Sequence, residues 1–250
     1  MPFAPASSFR CGEPCPMIRA VLFDLDGTLL GNDMERFMPA YFDRLQAFIA
    51  PLYPPERFLD ALLVAMREAI RRPDPRRTVW ERFVEAFERE TKQPMDFWMP
   101  LFTRFYAEVF PSLRALTECR AEARLLVERA RARGLRIAVA TNPVFPEVEI
   151  GQRIEWAGLG DVPFDWITTM ENMRFTKPWP EYYLEVAERL QVPPEACGMI
   201  GNDWKQDIEP AEQVGMRTFW VCGGENRWQN RWLRKNHGDL QRALQWLEDL

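Results

Sequence analysis

Histidine is almost absent from this sequence. The 250 residues hold one, His237, near the C-terminal end. Serine is nearly as scarce, represented only by Ser7, Ser8 and Ser112. A Ser-His-Asp hydrolase, a His-ligated zinc enzyme and a histidine proton shuttle therefore have almost no material to work with. The five cysteines, Cys11, Cys15, Cys119, Cys197 and Cys222, are odd in number and irregular in spacing, which argues against a disulfide framework. Cys11 and Cys15 lack the second pair or the histidine that a zinc site would need. No apolar run approaches the roughly 18 residues of a membrane span. An excess of positive charge is missing too. The formal net charge is -5, which disfavours non-specific nucleic-acid binding. Small anionic substrates remain open, because local fields outrank net charge. The hydrolytic chemistry that is left uses carboxylates, a lysine and a cation.

What is there is ordinary globular material, enough for one large domain or two smaller ones. Residues 1–16 hold four prolines and no periodicity, and are expected to be a disordered tail. They show neither the basic nor the apolar region of a signal peptide, so a cytoplasmic protein is expected. Met17, directly before the first apolar run, is a candidate start codon.

Ala20-Val-Leu-Phe23 is short and apolar enough to be a buried strand. Four stretches with a helical period follow, marked by Phe37/Tyr41/Leu45/Phe48, Leu59/Leu62/Leu63/Met66/Ile70, Trp80/Phe83/Val84/Phe87 and Trp98/Leu101/Phe102/Phe105/Val109. Prolines at 51, 54–55, 73, 75 and 94 separate them, and Pro111 closes the set. The aromatic stripes are expected to form the core of this insert, with one or two rings free to face a pocket. From about Cys119 strands and helices alternate. Strands are expected at 136–141, 164–169, 197–201 and 217–222. Helices are expected at 121–133, 146–158, 180–190, 207–215 and 239–250. Residues 223–238 have no convincing period. Such alternation predicts an α/β fold, a Rossmann-like parallel sheet. It is interrupted by an all-helical cap at 32–115, with 17–31 and 116–250 forming the core domain. The site should lie at the carboxyl ends of the strands.

Those ends carry reactive groups. The first strand ends in Asp24-Leu-Asp26-Gly27-Thr28. Residues two apart share a face of an extended strand, so Asp24 and Asp26 are expected to face one site. Their mutual repulsion is relieved by a hard cation such as Mg²⁺, which takes carboxylate, phosphate and water oxygens. The second strand ends in Thr141-Asn142. Lys177 lies just beyond the third. The fourth ends in Gly201-Asn202-Asp203, with Asp207 one helical turn on. Carboxylates, a hydroxyl, an ammonium and further carboxylates on four strand ends suit a phosphoryl group bound to Mg²⁺.

The Asp24-x-Asp26-Gly27-Thr28 string, Thr141, Lys177 and the Asp203/Asp207 pair, in that order, resemble the four motifs of the haloacid dehalogenase superfamily. A helical cap after the first motif resembles its subfamily I, which contains phosphoglycolate phosphatases. The resemblance covers about residues 18–222. It implies a Mg²⁺-dependent phosphatase acting on a small phosphorylated metabolite. Asp24 would be the nucleophile and Asp26 the acid and base. Thr141 and backbone N–H groups would hold phosphate oxygens, with Gly27, Asn142 and Lys177 also contacting substrate. Lys177 would neutralise charge. Asp24, the Asp26 carbonyl, Asp203 and Asp207 would hold the metal. The fourth motif departs from the family by opening Gly-Asn-Asp rather than Gly-Asp, which leaves open which acid touches the metal.

Three other readings are weighed. A dehalogenase needs no second acid, because halide leaves without a proton, so Asp26 counts against it. A phosphomutase of sugar phosphates would have to protect its phosphoenzyme from water. A non-catalytic binding module would use the tryptophan-rich stretch at 223–238. The insert begins and ends near the Asp pair, so it is expected to be a lid hinged at Gly31-Asn32 and Pro111-Ser112.

Overall fold

All four residues of Ala20–Phe23 (β1) are fully buried. Alternation along the strand sends Val21 and Phe23 into one apolar cluster and Ala20 and Leu22 into another. A strand covered on both faces belongs at the centre of a parallel sheet. The computed structural model describes residues 17–71, 74–222 and 236–250. In it β1 runs parallel to Arg136–Val139 (β4) on one side and to Cys197–Gly201 (β6) on the other. Trp166–Ile167 (β5) lies outside β4, and Arg217–Val221 (β7) and His237–Gly238 (β8) lie outside β6. The order is β5-β4-β1-β6-β7-β8, and every pairing is parallel. One face carries Ala121–Ala132 (α5) and Leu240–Glu248 (α9), the other Pro180–Leu190 (α7) and Glu209–Gln213 (α8). Glu147–Trp156 (α6) follows β4.

The five expected strands are present, and the third is shorter than expected. Its Asp165 turns a carboxylate to the Ile137 N–H at 2.8 Å, so a side chain takes a donor that a longer strand would have paired. The sixth strand, β8, falls at the end of the stretch that showed no period. Two residues are too few to show one. The helix expected at 207–215 begins earlier, as a π-helical turn over Trp204–Ile208 that runs into α8. The tail at 1–16 and residues 223–235 of the tryptophan-rich stretch lie outside the described residues.

The insert consists of Met34–Ile49 (α1), Pro55–Arg71 (α2), Val79–Thr91 (α3) and Met95–Glu108 (α4). Pro39 and Pro100 sit inside α1 and α4 without ending them, so not every proline is a break. Trp98 is fully buried, and its ring stands 5.2–5.3 Å from those of Tyr53, Phe58 and Phe87. The chain enters the insert through Leu30–Asn32 (β2) and leaves through Thr117–Cys119 (β3). These two strands pair antiparallel, Leu30 with Cys119 and Asn32 with Thr117. Pro111 and Ser112 belong to a 3₁₀ stretch, Phe110–Leu116, in which Phe110 and Leu113 are fully buried. Pro111 and Ser112 themselves are exposed. The ribbon of β2 and β3 is the connection.

A second tie fixes the insert over the sheet. The first N–H groups of a helix have no partner within it. In α3 those of Val79 and Trp80 reach the core instead, donating to the carbonyls of Met173 at 2.8 Å and Met170 at 2.7 Å. Arg82 adds a bond to the Arg174 carbonyl at 2.9 Å. No helix among the described residues is long and apolar enough to cross a membrane.

Truncating Trp98→Ala removes the ring that α2, α3 and α4 share. The expected loss is about 3–5 kcal/mol of unfolding free energy, read by urea denaturation followed through far-UV circular dichroism.

Candidate active site

Asp24 leaves the sheet at the end of β1, and its N–H donates to the Ile200 carbonyl at 2.9 Å. The β1–β6 pairing thus sets its position. Lys177 Nζ donates to Asp24 Oδ1 at 2.7 Å and to Asp207 Oδ1 at 2.6 Å. All three side chains are buried. Burial, reinforced by the Asp207 charge, pushes the Asp24 carboxyl up to about 7, although Lys177 pulls it back. Burial also works against the Lys177 ammonium. Asp207 and Asp24 outweigh it and hold its pKa well above the ordinary value. The Thr28 hydroxyl donates to the other Asp24 oxygen at 3.0 Å.

Asp207 approaches because β6 ends in glycine. A Cβ on Gly201 would lie 2.4 Å from Asp207 Oδ2. That oxygen accepts the Asp203 N–H at 2.9 Å. The Asp203 carboxylate caps the π-helical turn, accepting from the N–H groups of Lys205 and Gln206 at 2.9 and 3.0 Å. Thr141 and Asn142 follow β4. The Thr141 carbonyl accepts from Tyr182 Oη and Thr168 Oγ1, each at 2.8 Å, and Asn142 Oδ1 takes the Lys177 N–H at 3.3 Å.

Asp26 lies past the strand, in the turn, and still lines the same cavity as Asp24. Gly27 makes that turn with φ of 77°. Its N–H is taken by the Leu30 carbonyl at 2.8 Å and Asn32 Oδ1 at 2.9 Å, so this glycine shapes the loop. The Asp26 carboxylate accepts from Asn32 Nδ2 at 2.7 Å and from Arg153 Nη1. Arg153 also donates to Glu149 Oε2 at 2.6 Å, and both of these side chains are fully buried. Burial pushes the Glu149 carboxyl up to about 7 against the pull of Arg153. Neither residue was among the expected site residues. The one signal was their spacing of four on a helix directly after a strand end, which ordinarily marks an exposed pair.

Asn202 is the third residue not foreseen. The tip of its amide lies 3.0 Å from the Asp26 carbonyl oxygen, 3.1 Å from Asp24 Oδ2 and 3.3 Å from Thr28 Oγ1. With nitrogen at the tip, the amide donates to these oxygens. With oxygen there, the amide brings a third oxygen beside those of Asp24 and Asp26. Among the described residues no three His, Cys, Asp or Glu side chains form a metal cluster; this oxygen set draws instead on a backbone carbonyl and an amide.

Asp24, Asp26, Gly27, Thr141, Asn142, Lys177, Asp203 and Asp207 all line one cavity of about 1330 Å³. A family model described as haloacid dehalogenase-like hydrolase matches residues 18–215. The chain belongs to this family. Among haloacid dehalogenase-like proteins, it is 23% identical to pyrophosphatase PpaX of Bacillus cereus over 80% of this chain and 82% of that one. It is 31% identical to haloacid dehalogenase-like hydrolase domain-containing protein 3 of Mus musculus, over 41% of this chain and 39% of that one. The fold is shared with the HAD phosphatase from Thermococcus onnurineus, at a TM-score of 0.57 and 22% identity, covering 92% of this chain and 98% of that one. It is shared too with the 2-haloacid dehalogenase from Pseudomonas syringae pv. Tomato DC3000, at a TM-score of 0.59 and 22% identity, covering 93% and 99%.

In this hydrolase Arg153→Met leaves Glu149 and Asp26 without their shared cation. The expected cost is about 3–5 kcal/mol of stability, and Glu149→Met in the same chain should restore part of it in urea denaturation. A pH test concerns Glu149 alone. Its pKa is raised on folding, so its contribution to stability is present below about 4.5 and is lost as pH rises through about 7. Glu149→Gln removes that titration. The stability of the variant relative to wild type should rise between pH 5 and 8, as measured by denaturation at each pH.

Proposed function

We propose that this hydrolase is a Mg²⁺-dependent phosphatase that cleaves a small phosphorylated metabolite through an aspartyl-phosphate on Asp24. The observation that carries the reading is the buried Lys177–Asp24–Asp207 group at the end of the central strand, with Asp26 in the same cavity. Phosphoryl transfer depends mainly on positioning and on charge neutralisation, and this is a nucleophile held by a cation.

The donor set fits Mg²⁺. Cis oxygens around an octahedral Mg²⁺ stand about 3.0 Å apart, and the Asn202 tip has that spacing to the Asp26 carbonyl oxygen, at 3.0 Å, and to Asp24 Oδ2, at 3.1 Å. Asp24, the Asp26 carbonyl and the Asn202 amide oxygen would hold the ion, with Asp203 beside them, directly or through water. Asp207 would act through Lys177. When bound, the ion neutralises charge on Asp24 and on the phosphoryl oxygens.

Asp24 attacks phosphorus, and the bond from phosphorus to the alcohol oxygen breaks. Asp26 protonates that oxygen as it leaves. Asp26 then takes a proton from water, whose oxygen attacks phosphorus and releases Asp24. Lys177 and the Thr141 hydroxyl hold phosphoryl oxygens through both steps. Asn32 and Arg153 orient Asp26 between them.

Helices α1–α4 are proposed to form a cap, residues 32–115, that sets specificity and excludes water. Its motion would turn on the β2–β3 ribbon and break the bonds from Val79 and Trp80 to the core. Cys119 and Cys197 are free thiols, in keeping with a reducing, cytoplasmic setting.

Asp24→Asn should lower phosphate release from p-nitrophenyl phosphate by more than about a thousandfold while circular dichroism is unchanged. EDTA should abolish wild-type activity and Mg²⁺ restore it. Asn202→Ala should raise the Mg²⁺ concentration for half-maximal activity by about tenfold or more. Activity in Asp24→Asn near that of wild type would remove Asp24 from the role.

A further inference from the structure

Resting on the phosphatase reading, we infer that the alcohol half of the substrate is neutral and apolar, and carries no second phosphate and no carboxylate. The cavity divides into two unlike parts. Its floor holds the reacting groups. Its wall is built by all four helices of the insert, with Met38 and Phe42 from α1, Met66 from α2, Trp80 from α3 and Phe102 from α4. These side chains are half-buried, so each keeps a face toward the space. Thioether and aromatic side chains together make an adaptable apolar surface. The volume, about 1330 Å³, exceeds the ~300–1,000 Å³ that accommodates a drug-sized ligand. A bulky alcohol therefore fits.

Charge argues the same way. Lys177 is the only cationic side chain lining the cavity among the described residues, and it is already shared by Asp24 and Asp207. Arg153 is fully buried between Asp26 and Glu149. Arg120 is turned to the carbonyl oxygens of Gly27 and Thr28. The exposed acids at the mouth are Asp33, Glu35, Glu147 and Glu171. A second anionic group on the substrate would lose its water against methionines and rings, with no cation to meet it and four carboxylates at the entrance. A neutral hydrocarbon or aryl group meets only surface that gains by being covered. Polar partners on the wall are few, and two of them, Tyr41 and Tyr106, bond each other at 2.9 Å.

The test compares kcat/KM of the full chain with Mg²⁺ on phenethyl phosphate, on its para-carboxylate analogue and on inorganic pyrophosphate, with p-nitrophenyl phosphate as a generic ester. Phenethyl phosphate should exceed the carboxylate and pyrophosphate by roughly tenfold or more. Met38→Arg, or Met66→Arg should the first not fold, places a cation on the wall and should narrow the gap by improving turnover of the carboxylate. A gain of that kind cannot come from misfolding. If the carboxylate or pyrophosphate is turned over as well as phenethyl phosphate, or if neither arginine changes the ratio, the inference fails while the phosphatase reading stands. If no ester releases phosphate, p-nitrophenyl phosphate included, the phosphatase reading fails and takes this one with it.

Discussion

A lysine ammonium sealed between two carboxylates is the interaction on which the site depends. An ion taken out of water is stable only with partners and close geometry, so the Lys177 pocket constrains everything that forms it. It requires β1 to end where Asp24 does and β6 to end in a glycine that admits Asp207. It requires the chain beyond β5 to return across the strand ends, where Asn142 receives the Lys177 N–H. The three parallel pairings that bring these ends together are therefore also what bring the charges together.

The two acids of the first loop are made different by their surroundings. Asp24 is buried against a lysine and a second carboxylate, whereas Asp26 is partly open and held by a neutral amide and a buried guanidinium. Two carboxyl groups in unlike environments can divide the labour of nucleophile and proton carrier. The cost of this arrangement is visible behind Asp26. Arg153 is fully buried to reach Asp26, and its other nitrogen meets a second acid, the fully buried Glu149, whose carboxyl burial pushes up to about 7.

Much of this was legible in the sequence, and the limits have physical reasons. An apolar run such as Ala20–Phe23 can only be covered on both faces, and the alternation after Cys119 leaves little besides a parallel sheet. Lys177, Asp203 and Asp207 are legible as candidates because they stand just past strand ends. Arg153 and Glu149 are not. A pair four apart on a helix looks the same whether its face meets water or a core, and only the fold decides that. Asn202 was noticed as a departure from the family pattern, but an amide can offer nitrogen or oxygen, and its use follows from the three oxygens around it. The aromatic periods located the insert's helices, and Trp98 is indeed core. Period names a face without naming what lies opposite, so Trp80 and Phe102 at the cavity were not separable from it. Strands of two or three residues, such as β8, β2 and β3, carry too little alternation to be read.

The short ribbon of β2 and β3 has an architectural consequence. Because neighbouring strands stand about 4.8 Å apart, the four-helix excursion begins and ends at almost one point. Closing so long a loop then needs one pair of adjacent strands, and that pair stands outside the six-stranded sheet. The insert is in this sense a cartridge on a two-stranded socket. Its helices bond to the core through Val79, Trp80 and Arg82, and take no part in the strand pairings that space Asp24, Lys177 and Asp207.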